Sequence, residues 1–187
     1  MKTIVLGLGN PILTDDGVGI RIAKEIRKKC KNIDVVEASA AGFRIIDEII
    51  GYDILIIIDS IKTGKAKPGT LHKFSINDFE KTLHHSSPHD ISLFDAFEVM
   101  RKQNVKLPSQ IEIYAIEVED TSTFSEKCTE LVESAIPKTV QQIMKELEYL
   151  PIKNSERNVM KQDGLALVNL KDFSPRRHRE HREDYKD

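Results

Sequence analysis

Two adjacent carboxylates, Asp15 and Asp16, stand inside a glycine-rich segment near the amino end of the chain. Residues 7–19 read Gly-Leu-Gly-Asn-Pro-Ile-Leu-Thr-Asp-Asp-Gly-Val-Gly. The β-branched run before this segment predicts a buried strand, and the amphipathic run after it predicts a helix. Aspartates immediately before a helix interact favourably with its dipole, but they repel a phosphate. The segment therefore favours a bound cation over a bound anion.

Two other interpretations of this segment compete with a cation site. A Gly-x-Gly turn after a strand can hold a dinucleotide, but that motif needs a third glycine where this chain has Leu13. Alternatively, one aspartate is only a helix cap and the glycines only form a turn. Asp15 fits such a cap, or it holds a neighbouring ligand in place.

A third carboxylate and a histidine can reach the same place. Asp59 closes an aliphatic run, which predicts a position at the rim of a sheet, either in a site or as a turn cap. His84 and His85 are interpreted as surface residues, whereas His89 stands just before an amphipathic helix and can face the carboxylates. Two carboxylates and one imidazole suit a divalent metal with open coordination positions, and zinc, nickel, iron and cobalt all fit this set.

Alternating strands and helices position these residues. The pattern predicts a three-layer α/β/α domain with a twisted, mostly parallel five-stranded sheet, whose active residues follow the carboxyl ends of the strands. The fourth strand is predicted to lie at an edge or to run antiparallel. Strands are predicted at residues 3–6, 33–37, 53–58, 71–74 and 111–116, and helices from 18, from 42, around 91–100 and over 125–147, where Pro137 begins a new turn or a kink.

The composition sets further bounds. The formal net charge of −2 over 187 residues predicts no general affinity for nucleic acid or for acidic membranes. The longest aliphatic run, Ile54–Ile58, is too short to span a bilayer, so we expect a cytoplasmic protein without a membrane partner. Cys30 and Cys128 lack zinc-site spacing and are predicted to be buried free thiols on helices.

The alternating pattern ends near residue 150. We therefore expect a catalytic domain at 1–150 and a charged appendage at 151–187, either disordered or a surface helix. The final Asp-Tyr-Lys-Asp resembles the start of an epitope tag, so part of the appendage is interpreted as added sequence.

Several motifs, in one order, resemble those of the NiFe-hydrogenase maturation endopeptidases. The pattern Gly-x-Gly-Asn-x-x-Leu-x-x-Asp-Asp/Glu-Gly-x-Gly is matched in full over residues 7–19. Residues 37–42, Asp59, the Pro-Gly-Thr at 68–70 and the Ser-Pro-His at 87–89 follow in the family's order. The resemblance covers about residues 2–148.

The resemblance implies a specific activity. Family members remove a short C-terminal peptide from the precursor of a hydrogenase large subunit after nickel insertion. By position, the catalytic and nickel-contacting residues fall on Asp16, Asp59 and His89, and the substrate-binding residues on Glu37 and Gly42. The nickel is expected to come with the substrate, with no organic cofactor. The chain is therefore expected to be an aspartyl-type or metal-dependent endopeptidase, monomeric, with the large-subunit precursor as its partner.

The chain departs from the family pattern at some positions. Ala38, Ser39 and Ala40 replace the usual Gly, Gly and Thr, and Asp16 replaces the Glu of some members. The glycines of residues 7–19 are expected to leave room for the precursor's backbone.

Two rival functions belong to other classes. Residues 7–11 also resemble the start of peptidyl-tRNA hydrolases, but Ile12 stands where those enzymes have glycine. A nickel-sensing chaperone that binds the large subunit without cutting it is the other alternative.

Overall fold

The computed structural model describes residues 1–39, 43–76 and 88–149, without the side chains of 43, 44, 88–92 and 94. Within these ranges five strands alternate with four helices and one 3-10 turn. The strands are β1 (Thr3–Leu8), β2 (Asp34–Ala38), β3 (Ile54–Ile61), β4 (Leu71–Ser75) and β5 (Gln110–Glu117). The helices are α1 (Val18–Lys29), α2 (Phe43–Ile49), α3 (Pro88–Lys102) and α4 (Glu130–Tyr149), and the 3-10 turn is Thr14–Gly17. The appendage predicted at 151–187 lies outside the described residues.

The strands form one sheet in the order β2-β1-β3-β5-β4. All neighbours run parallel except β4, which lies at the edge and pairs with β5 antiparallel. The predicted fold class is therefore confirmed, as are both properties expected of the fourth strand. Because four strands are parallel, their carboxyl ends share one edge of the sheet, called here the carboxyl edge.

Both faces of the sheet are apolar, because successive residues of a strand point to opposite sides. In β3, Leu55 and Ile57 pack on the layer that contains α2 and α3. Ile56 and Ile58 pack on the opposite layer, which contains α1 and α4. The aliphatic run that suggested a covered central strand is therefore buried from both sides, which produces the three layers.

Helix α1 approaches the sheet unusually closely at Gly19. A Cβ atom at this position would lie 2.4 Å from the carbonyl oxygens of both Ile58 and Leu8. Only glycine permits this contact, which places the start of α1 directly against the ends of β1 and β3. The glycine thereby fixes the position of the 3-10 turn that precedes the helix.

Most predicted boundaries differ from the structure by a few residues, and two of these differences have a long-range reason. β3 continues to Ile61 instead of ending at residue 58, because its last residues pair with β5 up to Glu117. Helix α4 begins at Glu130 instead of residue 125, because Ser125 bonds to the loop after β1. Pro137 lies within α4.

The cysteine prediction holds in part. Both thiols are free, and Cys128 is buried, whereas Cys30 is half-buried. Neither residue is helical: Cys30 follows the last residue of α1, and Cys128 precedes α4. Among the described residues, no helix has the length and apolarity that crossing a membrane requires.

Candidate active site

The structure brings two of the predicted site residues, Asp16 and Asp59, together at the carboxyl edge. Asp16 lies in the 3-10 turn after β1, and Asp59 lies in β3, the neighbour of β1. Asp16 is 5% exposed and Asp59 is fully buried, so Asp59 lies at the expected edge of the sheet, but its side chain is buried rather than exposed at the rim. The extension of β3 past residue 58 contributes to the burial, since it keeps Asp59 paired with Ala115 of β5.

Ser60 connects the two carboxylates. Its backbone N–H donates to Asp59 Oδ1 at 2.7 Å, and its hydroxyl donates to Asp16 Oδ1 at 3.3 Å. The backbone N–H of Asn10 donates to the other oxygen, Asp16 Oδ2, at 2.7 Å. Both carboxylates are therefore oriented by donors from the strand ends. Sequence reasoning missed Ser60, although a hydroxyl residue directly after Asp59 in an aliphatic run was a usable signal.

Asp15, the neighbour of Asp16, has a different role. Its fully buried carboxylate accepts bonds from the N–H and hydroxyl of Thr129, at 2.7 and 3.1 Å, and from the N–H groups of Asp120 and Glu119. All four donors belong to the loop between β5 and α4. The residue before α1 makes no side-chain capping bond, and the helix-cap interpretation of Asp15 is wrong. Asp15 instead joins two loops of the carboxyl edge.

The backbones of these two loops are joined as well. Thr14 N–H donates to the carbonyl of Ser125, and Ser125 N–H donates to the carbonyl of Ile12, both at 3.0 Å. Asp15 N–H donates to the carbonyl of Asp120 at 3.0 Å. Together with the carboxylate of Asp15, these bonds hold the turn that carries Asp16 against the end of β5.

Glu37 also lies at the carboxyl edge, near the end of β2 and opposite Gly7 of β1. Its carboxylate forms ion pairs with Arg27 and with Lys24, which lies 3.5 Å away, on α1. Glu37 therefore lies on the strand next to β1, and Asp16 lies in the turn after β1. The carboxylate of Glu37 is directed to α1.

The remaining predicted site residues are described only in part or not at all. His89 lies in the first turn of α3, and its side chain is outside the described residues. Gly42, His84 and His85 also lie outside them. Among the side chains that are described, no group of three histidine, cysteine or acidic residues is arranged to hold a metal ion.

Glu117 is a buried carboxylate at the end of β5. It accepts bonds from the N–H groups of Thr63 and Gly64, both at 2.8 Å, and from the Thr63 hydroxyl at 2.7 Å. His72 Nε2 lies 3.3 Å from Oε2 of Glu117. Because Thr63 and Gly64 begin the loop after β3, Glu117 fixes the chain just beyond Asp59. Glu117 directly follows the strand predicted at 111–116, but the sequence did not indicate its partners.

Cys128 lies beneath the same loops, with its Sγ 3.6 Å from the carbonyl oxygen of Thr14. Burial raises the pKa of Cys128 to about 12. The thiol is therefore neutral at physiological pH, and it is unsuited to act as a nucleophile.

The glycines of the first loop pack against the protein itself, so the expectation that they leave room for substrate was wrong. Gly9 has a φ of +129°, and a Cβ there would lie 1.8 Å from the carbonyl oxygen of Asp16. Cβ atoms at Gly7 and Gly17 would also meet atoms of this chain within 3 Å. These glycines allow the loop to fold tightly and bring Asp16 back towards the strand end.

Comparison with known proteins agrees with this architecture. The family model HycI, described as hydrogenase maturation protease, matches residues 10–146. The hydrogenase 2 maturation protease of Escherichia coli (strain K12) is 29% identical over 105 residues, which are 54% of this chain and 64% of that protein. The hydrogenase expression/formation protein HupD of Thiocapsa roseopersicina is 24% identical over 85 residues, which are 44% of this chain and 38% of that protein. The matched region thus spans less than two thirds of either relative.

Solved structures give the same result at the level of the fold. The hydrogenase maturating endopeptidase HybD from E. coli superposes with a TM-score of 0.70 at 25% identity, covering 79% of this chain and 93% of that one. The NiFe hydrogenase maturation protease HybD from Thermococcus kodakarensis gives 0.67 at 26% identity, with 78% and 99% covered. The resemblance seen in the motifs is therefore confirmed, and the chain belongs to the hydrogenase maturation protease family.

Proposed function

We propose that this protein is an endopeptidase that removes a C-terminal peptide from the nickel-loaded precursor of a NiFe-hydrogenase large subunit. The observation that supports it best is the pair of buried carboxylates, Asp16 and Asp59, oriented by Ser60 at the carboxyl edge. This is the edge at which α/β proteins bind ligands. Family membership supports the protease activity, and it supports a hydrogenase precursor as the partner.

Nickel belongs to the substrate in this proposal. Asp16, Asp59 and His89 contact nickel already held by the precursor, so a permanent metal or an organic cofactor is not required. A site with open coordination positions suits this use, because the remaining ligands come from the precursor. Bridging the nickel fixes the scissile peptide beside the carboxylates, and a fixed geometry lowers the entropic part of the barrier. Nickel also polarises a nearby carbonyl or water.

Glu37 and Gly42 complete the proposed site as substrate-orienting residues. Glu37 lies on the strand next to β1 at the carboxyl edge, where its ion pairs with α1 keep it in place. We further propose that the protein acts as a monomer in the cytoplasm, where it meets the precursor without nucleic acid or membrane.

Purified protein incubated with nickel-loaded or nickel-free precursor tests this function. Intact-mass measurement should show loss of a C-terminal peptide only from the loaded precursor. Cleavage of both forms would contradict the role of nickel, and cleavage of neither would contradict the protease.

A non-cleaving nickel-sensing chaperone is the second candidate. It is favoured by the departures at Ala38, Ser39 and Ala40, beside the predicted substrate contacts. In the same experiment, a chaperone would bind the loaded precursor, for example by co-elution on size exclusion, and leave its mass unchanged.

A further inference from the structure

Two large apolar side chains are exposed at the carboxyl edge, beside the candidate active site. Phe124, in the loop between β5 and α4, is 80% exposed, and Ile12, in the loop after β1, is 48% exposed. Ile12 precedes Asp16 by four residues, so the two α-carbons lie within about 14 Å along even a fully extended chain.

The two side chains occupy neighbouring positions on bonded segments. A parallel bridge pairs Leu13 with Ser125, which places Ile12 beside Phe124. The carbonyl of Ile12 accepts from Ser125 N–H, and the hydroxyl of Thr14 donates to the carbonyl of Thr123. The backbone under the apolar pair is therefore held on both sides of each side chain.

Because their backbone is fixed, these exposed side chains can be covered by a partner at a small cost in conformational entropy. Burying an aromatic side chain on a held backbone loses less conformational entropy than ordering a free loop. Aromatic anchors of this kind provide much of the affinity at protein interfaces. Large exposed apolar side chains on neighbouring segments beside a candidate active site suit a surface that contacts a macromolecular substrate.

We propose that Ile12 and Phe124 form a docking surface for the large-subunit precursor, which covers them with apolar side chains next to the segment that is cut. This inference rests on the proposed function. The occupant is the precursor because Ile12 lies on the loop that carries Asp16, and Phe124 lies on the loop bonded to it, so both side chains stand beside the place where the precursor is cut. The docking surface recognises the precursor's apolar surface, so its contribution does not depend on nickel.

The chain supplies a matched control at the opposite edge of the sheet. Ile50 is 45% exposed just after α2, and Tyr149 is 80% exposed at the end of α4. Helices that start after the carboxyl ends of strands finish near the amino ends, and both residues stand at such helix ends. The double variant I50S/Y149S therefore removes the same kinds of exposed group far from the site.

The test compares I12S/F124S with I50S/Y149S and the unmodified protein. We expect the Kd of I12S/F124S for nickel-free precursor, and its KM for nickel-loaded precursor, to rise about tenfold or more, the effect of losing one good interface anchor. Its kcat should stay within about twofold, because these side chains do not touch the reacting groups. The control double variant should match the unmodified protein in all three quantities.

Other outcomes separate the possible failures. An unchanged Kd and KM in I12S/F124S would overturn the docking surface, even if nickel-dependent cleavage is normal. Loss of self-association in sedimentation, with precursor binding unchanged, would overturn it in favour of a second copy as the occupant. If the unmodified protein bound the precursor without cutting it, the proposed protease would fail, while the change in Kd would still decide the docking surface.

Discussion

Ser60 links the two candidate nickel-contacting carboxylates, through its backbone to Asp59 and through its hydroxyl to Asp16. Some residues do not touch the metal but hydrogen-bond to its ligands. Mutating them typically lowers metal affinity or activity about 10- to 100-fold. We therefore interpret Ser60 as a positioning residue of the proposed site.

Replacing the Ser60 hydroxyl tests this interpretation. We expect S60A to lower kcat/KM for nickel-loaded precursor about tenfold, because Asp16 loses the hydroxyl that donates to its Oδ1. S60T, which keeps a hydroxyl, should retain most of the activity. Binding of nickel-free precursor should not change in either variant.

Thr3 supplies the control for S60A. Its hydroxyl is buried at the start of β1, away from the carboxyl edge, with no hydrogen-bond partner in the described part of the chain. T3V removes a buried hydroxyl without touching Asp16, and it should cleave normally. Equal loss in S60A and T3V would show that Ser60 acts only through general packing.

Cys128 is predicted to be the less reactive of the two thiols. Burial raises its pKa from 9.0 to about 12, so the folded protein favours the neutral thiol. The stabilisation from this shift is complete below pH 9 and is lost as the pH rises towards 12. We expect iodoacetamide at pH 8 to label half-buried Cys30 first, as followed by peptide mass mapping. Equal labelling rates of both thiols in the folded protein would contradict the burial of Cys128.

At the scale of elements, the carboxyl edge is assembled by bonds between loops that are distant in sequence. Asp15 provides the strongest test, because four donors converge on its buried carboxylate. We expect D15A to lower the free energy of unfolding by about 3 kcal/mol or more, since the donors lose a charged acceptor in a buried place. T129V, which removes one donor, should cost about 1 kcal/mol. Urea unfolding measures both values, and equal effects would contradict a clamp centred on Asp15.

The close approach of α1 to the sheet gives a second element-scale prediction. Replacing glycine by alanine within a helix ordinarily stabilises it by about 1 kcal/mol. At Gly19 the added Cβ would overlap the carbonyls of Leu8 and Ile58, so G19A should instead destabilise the fold, by about 1–3 kcal/mol. A Cβ at Gly51 meets no atom within 4 Å, but its φ of +86° disfavours alanine, so G51A measures the cost of backbone strain without overlap. Stabilisation by G19A in thermal unfolding would contradict this packing.

The order of the elements was readable from the sequence because it follows from local patterns. The aliphatic run at Ile54–Ile58 and the amphipathic run after Val18 each indicate one element without reference to the rest of the chain. Features that depend on distant partners were not readable. The extension of β3 to Ile61 requires pairing with β5, and the late start of α4 requires the bonds between Ser125 and the first loop.

The candidate site was predictable to the same extent. Asp16 and Asp59 could be placed at one edge, because parallel strands that end in carboxylates bring them together. The hydrogen bonds that hold this region could not be predicted, because they join distant segments. Ser60 of β3 bonds to Asp16 after β1, and Asp15 binds a loop more than a hundred residues away. Spacing alone does not distinguish a carboxylate that faces a site from its neighbour that joins two loops.

At the scale of the whole molecule, the candidate catalytic pair and the proposed docking surface lie at the same edge of the sheet. Asp16 and Asp59 would contact nickel in the substrate, and the docking surface formed by Ile12 and Phe124 would bind the precursor. If the two contributions are separate, nickel in the substrate should affect the rate of cleavage, whereas the docking surface should affect the affinity for the precursor. A substrate that lacks nickel should therefore still bind, but it should not be cut.

The most direct test is cleavage of nickel-loaded precursor by D16N and D59N, with D53N as control. Asp53 accepts a bond from the Lys2 N–H just before β3, at the opposite end of that strand. We expect D53N to cleave like the unmodified protein, and D16N and D59N to lose at least the roughly 100-fold that failure of a supporting residue can cost, with all three variants folded by circular dichroism. Normal release of the C-terminal peptide by D16N or D59N would contradict the proposed site.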